Sequence, residues 1–256
     1  MFKGGYFSAN VACKGVLKLK FVKILFHRKN IKSLLWLLTI PILGIFYNVL
    51  NTAERGVRSL VTPVDQIIPF IEIFIIPYII WYLYIVFAFC LLLVLYKRKY
   101  YEGIASYNIG LIICYLFYIF FQTTVQRPVL TEDNIFITLT KMIYNNDEPY
   151  NAFPSIHVYT TYLFMVLLWN VKMKRSLWIT VQITGLLIIL STLFVKQHVI
   201  LDVIASIIIV HIVSFVVRWI SEKVTEIPSI KMHIIRKKVA TNEVNRKKQS
   251  KMLMNE

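Results

Sequence analysis

Three short clusters in this 256-residue chain carry side chains suited to one chemistry. They are Arg127-Pro128, Pro154-Ser155-Ile156-His157, and Lys196-Gln197-His198 with Asp202 four residues on. Together they suit phosphoryl transfer. A transferring phosphoryl group needs cations and hydrogen-bond donors around its oxygens. Arg127 offers a planar fork for two oxygens, Lys196 a point charge and Ser155 a hydroxyl. A helix starting after Ser155 adds free N–H groups and the positive end of its dipole. The reaction also needs an in-line nucleophile and an acid for the leaving oxygen. Histidine serves either role near neutral pH. With a helix after His198, Asp202 lies one turn on along the same face and can hold the imidazole tautomer. Each residue also has a plainer structural role: a snorkelling arginine, a helix cap, an interfacial lysine, a polar network at a bundle mouth.

The elements that must position these clusters are membrane spans. The chain is 57% hydrophobic and only 16% charged, against roughly half and a quarter in soluble domains. Its apolar residues fall in runs close to the ~20 residues that cross a bilayer. Six spans are expected, near residues 33–51, 75–96, 104–125, 156–171, 177–195 and 199–219. The expected fold is therefore all-α, a polytopic membrane protein built as one six-helix bundle over 33–219. Basic segments flank it at 1–32 and 220–256. Pro41 and Pro77 are expected to kink their helices.

Charge sets the orientation. Residues 1–32 carry eight Lys and Arg, the loops after spans two and four three each, and the tail from Arg218 ten. The other side holds Arg55, Arg58, Arg127, Lys141 and Lys196, a split of 24 against five that uses all 29. The positive-inside rule places both termini in the cytoplasm and the three clusters at the extracytoplasmic face of a cell membrane. No cleavable signal peptide is apparent before the first span. The net charge of +16 sits mostly in the flanking segments, which points to anionic lipid headgroups as partners and away from nucleic acid. Cys13, Cys90 and Cys114 lie far apart and suggest neither a disulfide framework nor a thiolate metal site. Residues 60–76 read as an interfacial helix with Asp65 and Glu72 on one face, and residues 134–144 as a second surface helix. His211, deeper in span six, reads as a buried, hydrogen-bonded histidine.

The pattern resembles the type 2 phosphatidic acid phosphatase superfamily. That family shows Lys…Arg-Pro, then Pro-Ser-Gly-His, then Ser-Arg followed by His and Asp. Here stand Arg127-Pro128, Pro154-Ser155-Ile156-His157, and Ser191-Thr192, five residues, His198, three residues, Asp202. The resemblance covers spans three to six; spans one and two match in hydropathy only. Phe120 stands where the first motif has Lys, Ile156 where the second has Gly, and Thr192 where the third has Arg. In these departures the chain is similar to the branch that holds inositol-phosphorylceramide synthases. The resemblance implies His198 as the nucleophile, Asp202 as its orienting partner and His157 as the acid and then the base. It implies Arg127, Ser155 and Lys196 as phosphate ligands, with no cofactor and no metal. It leaves open hydrolysis of a phosphorylated or diphosphate lipid, or transfer of a phospho-headgroup to a lipid or polyol. A non-enzymatic transporter or scaffold is the reading from another class.

Overall fold

The computed structural model describes Leu25 and residues 27–224. The basic segments expected to meet anionic lipid fall mostly at 1–24 and 225–256, outside the described residues, as does Cys13. The contacts divide the chain into residues 1–214 and 215–256; the last helix runs into the second unit, and all other elements named below belong to the first. The long elements are α1 (Asn30–Leu50), α3 (Ile75–Leu95), α4 (Lys97–Phe120), α7 (Arg175–Phe194) and α8 (Ile200–Val224). Shorter ones are α2 (Pro63–Ile67), α5 (Ile135–Asn146) and α6 (Ile156–Trp169). The protein is an all-α polytopic membrane protein. Five helices are long and apolar enough to span a bilayer among the described residues, and α6 is the shorter sixth of the expected set.

α6 explains its own length. It has 14 residues, ~21 Å at helical rise, and ten of them are buried. It is wrapped by α3, α4 and α7, so its backbone has little lipid to meet. Tyr159 is buried and donates to Ser106 O on α4 at 2.6 Å. Its ring lies where Gly110 has no side chain, and a Cβ there would fall 1.9 Å from the Tyr159 Cζ. Phe164 meets Phe89 edge-on at 4.6 Å between centroids. Trp81 Nε1 on α3 donates to Thr160 Oγ1 at 2.9 Å. Such interhelical bonds in membranes average only about 0.6 kcal/mol, so close packing at Gly110 and the aromatic contacts carry much of the cohesion.

Several expectations are corrected. Pro41 does mark an irregularity, a 3-10 turn at Leu35–Leu38 before it, because proline clashes with the carbonyl four residues back. Pro77 sits in the first turn of α3, where an N–H has no intrahelical partner to lose. The third span begins at Lys97 rather than near Ile104, and ends at Phe120 rather than Val125. Lys97 to Lys99, read as a loop, are its first turn. Arg98 pairs with Glu102 at 2.8 Å, and Lys99 Nζ donates to Leu167 O near the end of α6 at 2.7 Å. At the other end the chain turns extended, and Arg58–Ser59 (β1) pairs in parallel with Thr123–Thr124 (β2), with Thr123 bridging to Asn151.

Residues 60–76 do not form one helix. Thr62 caps α2 in a capping box with Asp65. The helix stops at Ile68, held extended by the proline at 69, and a 3-10 turn at Glu72–Phe74 leads into α3. Asp65 and Glu72 therefore face different partners. Residues 134–144 do form a helix, α5, capped by the Asn134 side chain, whose amide also donates to Glu72 at 2.9 Å. His211 is exposed on the bundle surface, with Tyr162 OH 3.0 Å from its Nε2.

Candidate active site

The turn between α7 and α8 carries His198. Its Nδ1 lies 3.0 Å from Ala152 O and 3.3 Å from Asp202 Oδ2. A carbonyl oxygen only accepts, so the proton belongs on Nδ1 and the lone pair on Nε2. Asp202, fully buried, also accepts from Val199 N at 2.9 Å and so braces the backbone as well as the ring. Helical spacing puts Asp202 beneath His198, as expected from the sequence.

His157 stands in the first turn of α6, its ring centre 5.9 Å from that of His198. Two aromatic rings from α3 hold it. Tyr78 stacks at 4.5 Å and 27°, and Trp81 lies at 4.0 Å and 39°. The Trp81 bond to Thr160 fixes that indole. His157 Nε2 is buried without a protein partner, which leaves a nitrogen free to exchange a proton. Ser206 Oγ, 3.0 Å from Ser155 O and 2.7 Å from Asp202 O, joins the start of α6 to α8 and holds the two histidine-bearing ends together.

Arg127 is set by backbone more than by charge. Its NH1 donates to Tyr144 O at 3.0 Å, and its NH2 to Asp147 O and to Gln197 Oε1, both at 2.7 Å. The guanidinium also covers the Tyr144 ring at 4.4 Å. Through Gln197 it reaches the residue beside His198. Asp147 accepts from Tyr47 OH at 2.6 Å and Asn51 Nδ2 at 2.9 Å, both at the end of α1. Burial raises the Asp147 carboxyl above the ordinary carboxylate range, with the Tyr47 bond and the Arg127 and His198 charges opposing. Tyr144 is pushed up to about 12 by burial against the pull of Arg127.

The remaining two expected ligands hold structural bonds. Ser155 is fully buried and caps α6, its Oγ accepting from Val158 N at 3.2 Å. Its own hydroxyl proton remains available to an oxygen. Lys196 Nζ donates to Asp65 O at 3.0 Å and to Ile68 O. Burial lowers the Lys196 pKa and the Asp65 charge partly restores it. Lys196, Arg127 and His198 nevertheless line one cavity of about 280 Å³, walled also by Val61, Ile68 and Val125. The structure thus gathers His157, His198 and Asp202, brings Arg127 alongside, and puts Lys196 at the cavity edge.

Four contributors stand outside every motif of the sequence: Tyr47, Asn51, Tyr78 and Trp81. All lie on spans one and two. Tyr47 and Asn51 are four apart at a span end, as are His198 and Asp202, and Tyr78 and Trp81 are three apart at the start of another. Polar and aromatic pairs at helical spacing near the mouth of a bundle are the signal that could have found them. No group of three His, Cys, Asp or Glu placed to hold a metal occurs among the described residues.

Comparison with curated proteins and with solved structures finds no match. A family model does match, that of the PAP2 superfamily, over residues 58–216, more than half of the chain and all three clusters. The chain belongs to the PAP2 superfamily.

Proposed function

We propose that the protein is an integral membrane lipid phosphatase that removes phosphate from a phosphorylated or diphosphate lipid through a phosphohistidine intermediate. Membership in the PAP2 superfamily supports a phosphatase- or phosphotransferase-like lipid enzyme. The observation that carries the finer reading is the pair of oxygen acceptors, Ala152 O and Asp202 Oδ2, beside His198 Nδ1. With Nδ1–H turned to Ala152 O and Asp202, Nε2 keeps its lone pair for phosphorus.

In the first step Nε2 attacks and a P–N bond forms as the bond to the leaving oxygen breaks. His157 gives that oxygen its proton. In the second step His157 takes a proton from water, and the hydroxide oxygen bonds to phosphorus. The P–N electron pair returns to Nε2 and phosphate leaves. Asp202 stabilises the charge on the His198 ring, and Arg127, with the Ser155 hydroxyl, steadies the phosphoryl oxygens. Transfer to a lipid or polyol hydroxyl differs only in the second acceptor. Gln66 and Gln126, which line the cavity with neutral amides suited to hydroxyls, favour keeping it as the second reading.

Purified protein given several labelled lipid phosphates, with released phosphate and new lipids both followed, tests the proposal. Activity is expected to survive EDTA and to fall with vanadate. Complete loss in EDTA restored by magnesium would count against the mechanism. Neither release nor transfer from any lipid phosphate would leave a non-enzymatic membrane protein.

The proposal also puts the site on the extracytoplasmic face, supported by the 24-to-five split of basic residues. Glu148 is exposed and suits a labelling test, whereas Asp147 is tied to Tyr47 and Asn51. A Glu148→Cys protein should react with an impermeant maleimide in intact cells. Reaction only after permeabilisation would reverse the topology.

A further inference from the structure

The turn that carries His198 is held from outside itself. α8 begins after Val199, which has no side-chain oxygen to cap the free N–H groups of a helix start. Asp202 serves Val199 N at 2.9 Å. The next amide, Ile200 N, donates to Asp65 Oδ1 at 2.8 Å, a residue 135 positions away. Asp65 is buried, and its second oxygen accepts from Thr62 N at 2.8 Å and Thr62 Oγ1 at 2.6 Å. Burial alone would raise this carboxyl, but the bonds from Thr62 and Ile200 outweigh it and hold it below the ordinary range.

The same turn reaches back. Lys196 has φ +52°, a left-handed conformation that costs a residue with a Cβ. In it the ammonium meets Asp65 O and Ile68 O. Ile71 N donates to Phe194 O at 3.0 Å, and Tyr144 OH to Val195 O at 2.7 Å. Every described residue from Phe194 to Lys196, and then Ile200, is thus bonded to segments that precede α3 or belong to α5. Val61, Gln66 and Ile68 of the same segment form one wall of the cavity into which His198 opens.

We infer that Asp65 is a positioning residue for His198. Its carboxylate latches residues 61–68 to the start of α8, and Lys196 completes the latch rather than binding phosphate. The segment is a fixed wall of the substrate cavity, and its docking sets the approach of Nε2 to phosphorus. This inference rests on the phosphatase reading for its kinetic effect, but the latch itself does not.

The test compares Asp65→Ala, Asp65→Asn and Lys196→Met in the full chain. It reads turnover of a lipid phosphate, inhibition by inorganic phosphate, and hydrogen exchange of the peptide holding residues 197–203. Misplacing a nucleophile costs rate rather than ground-state binding. Asp65→Ala is expected to lower kcat by about 30-fold, with KM and the phosphate inhibition constant moving less than about 3-fold. Asp65→Asn keeps an oxygen for Ile200 N but turns its NH2 toward Thr62 N, and should recover at least about 3-fold of that loss. Lys196→Met should follow Asp65→Ala. Exchange in the 197–203 peptide should speed up in Asp65→Ala and speed up less in Asp65→Asn, which keeps the acceptor for Ile200 N.

A Lys196→Met protein with a phosphate inhibition constant raised by about 10-fold or more would make Lys196 a phosphate ligand and overturn its place in the latch. An Asp65→Asn protein as impaired as Asp65→Ala, or unchanged exchange in Asp65→Ala, would overturn the role of Asp65. If the parent turns over no lipid phosphate, the exchange result still decides the latch, and only the phosphatase reading falls.

Discussion

His198→Ala stops turnover on every lipid phosphate, whatever its leaving group, with kcat lower by about 10⁴-fold or more. No other described imidazole is placed to replace it. The ring of His157 is 5.9 Å from that of His198 and fixed between Tyr78 and Trp81. His157→Ala behaves differently. The missing acid matters most where the leaving oxygen departs as an alkoxide, and least where it departs as a phosphate. The first step of His157→Ala should therefore survive better on a diphosphate lipid than on a monophosphate lipid. Its second step still lacks a base, so phosphorylated enzyme should accumulate. Equal losses on both substrates in rapid-quench assays, with no accumulation, would remove His157 from acid–base chemistry.

Arg127→Ala should lower kcat/KM by about 10² to 10³-fold, a loss of about 3–4 kcal/mol of transition-state stabilisation. Arg127→Lys should recover less than about 10-fold of that, since an ammonium cannot reproduce a planar fork. The fork is already committed on two sides to Tyr144 O, Asp147 O and Gln197 Oε1. The same substitutions should therefore also loosen the connection between α5 and the His198 turn, and lower the melting temperature in detergent. Full retention of kcat/KM with a lowered melting temperature would make Arg127 a structural residue only.

The site was legible where its chemistry sits in contiguous residues at span ends. Asp202 follows His198 by one helical turn, so their pairing needs no tertiary information, and the distance of 3.3 Å agrees. Arg127 ends span three, His157 opens span four and His198 joins spans five and six, which is enough to gather them at one end of a bundle. What joins the clusters was not legible. Ile200 and Asp65 are 135 positions apart, and Asp65 gave no sign beyond being an acid in an apolar stretch. Read as helical, residues 60–76 put it beside Glu72; the proline at 69 ends that helix at Ile68 and sends the two acids to different partners.

Lys196 shows another limit. Its type suits a phosphate, yet its ammonium meets two backbone carbonyls. An ammonium does not declare in sequence which acceptor it will meet. The third span starts earlier than its hydropathy predicts for a similar reason. Lys97 to Lys99 look like a loop by charge, but Arg98 pairs with Glu102 and Lys99 reaches the Leu167 carbonyl, and the helix begins with them. Spans one and two carried no motif, and their contribution through Tyr47, Asn51, Tyr78 and Trp81 is written only in helical spacing.

The covalent intermediate is the claim on which the account turns, and label transfer tests it directly. Full-length His157→Ala protein is incubated with a diphosphate lipid labelled in its terminal phosphate, quenched, and cut into peptides. Acid-labile, base-stable label is expected on the peptide that holds His198. Label on the His157 peptide in a His198→Ala protein would contradict it, as would catalysis with no label on either histidine.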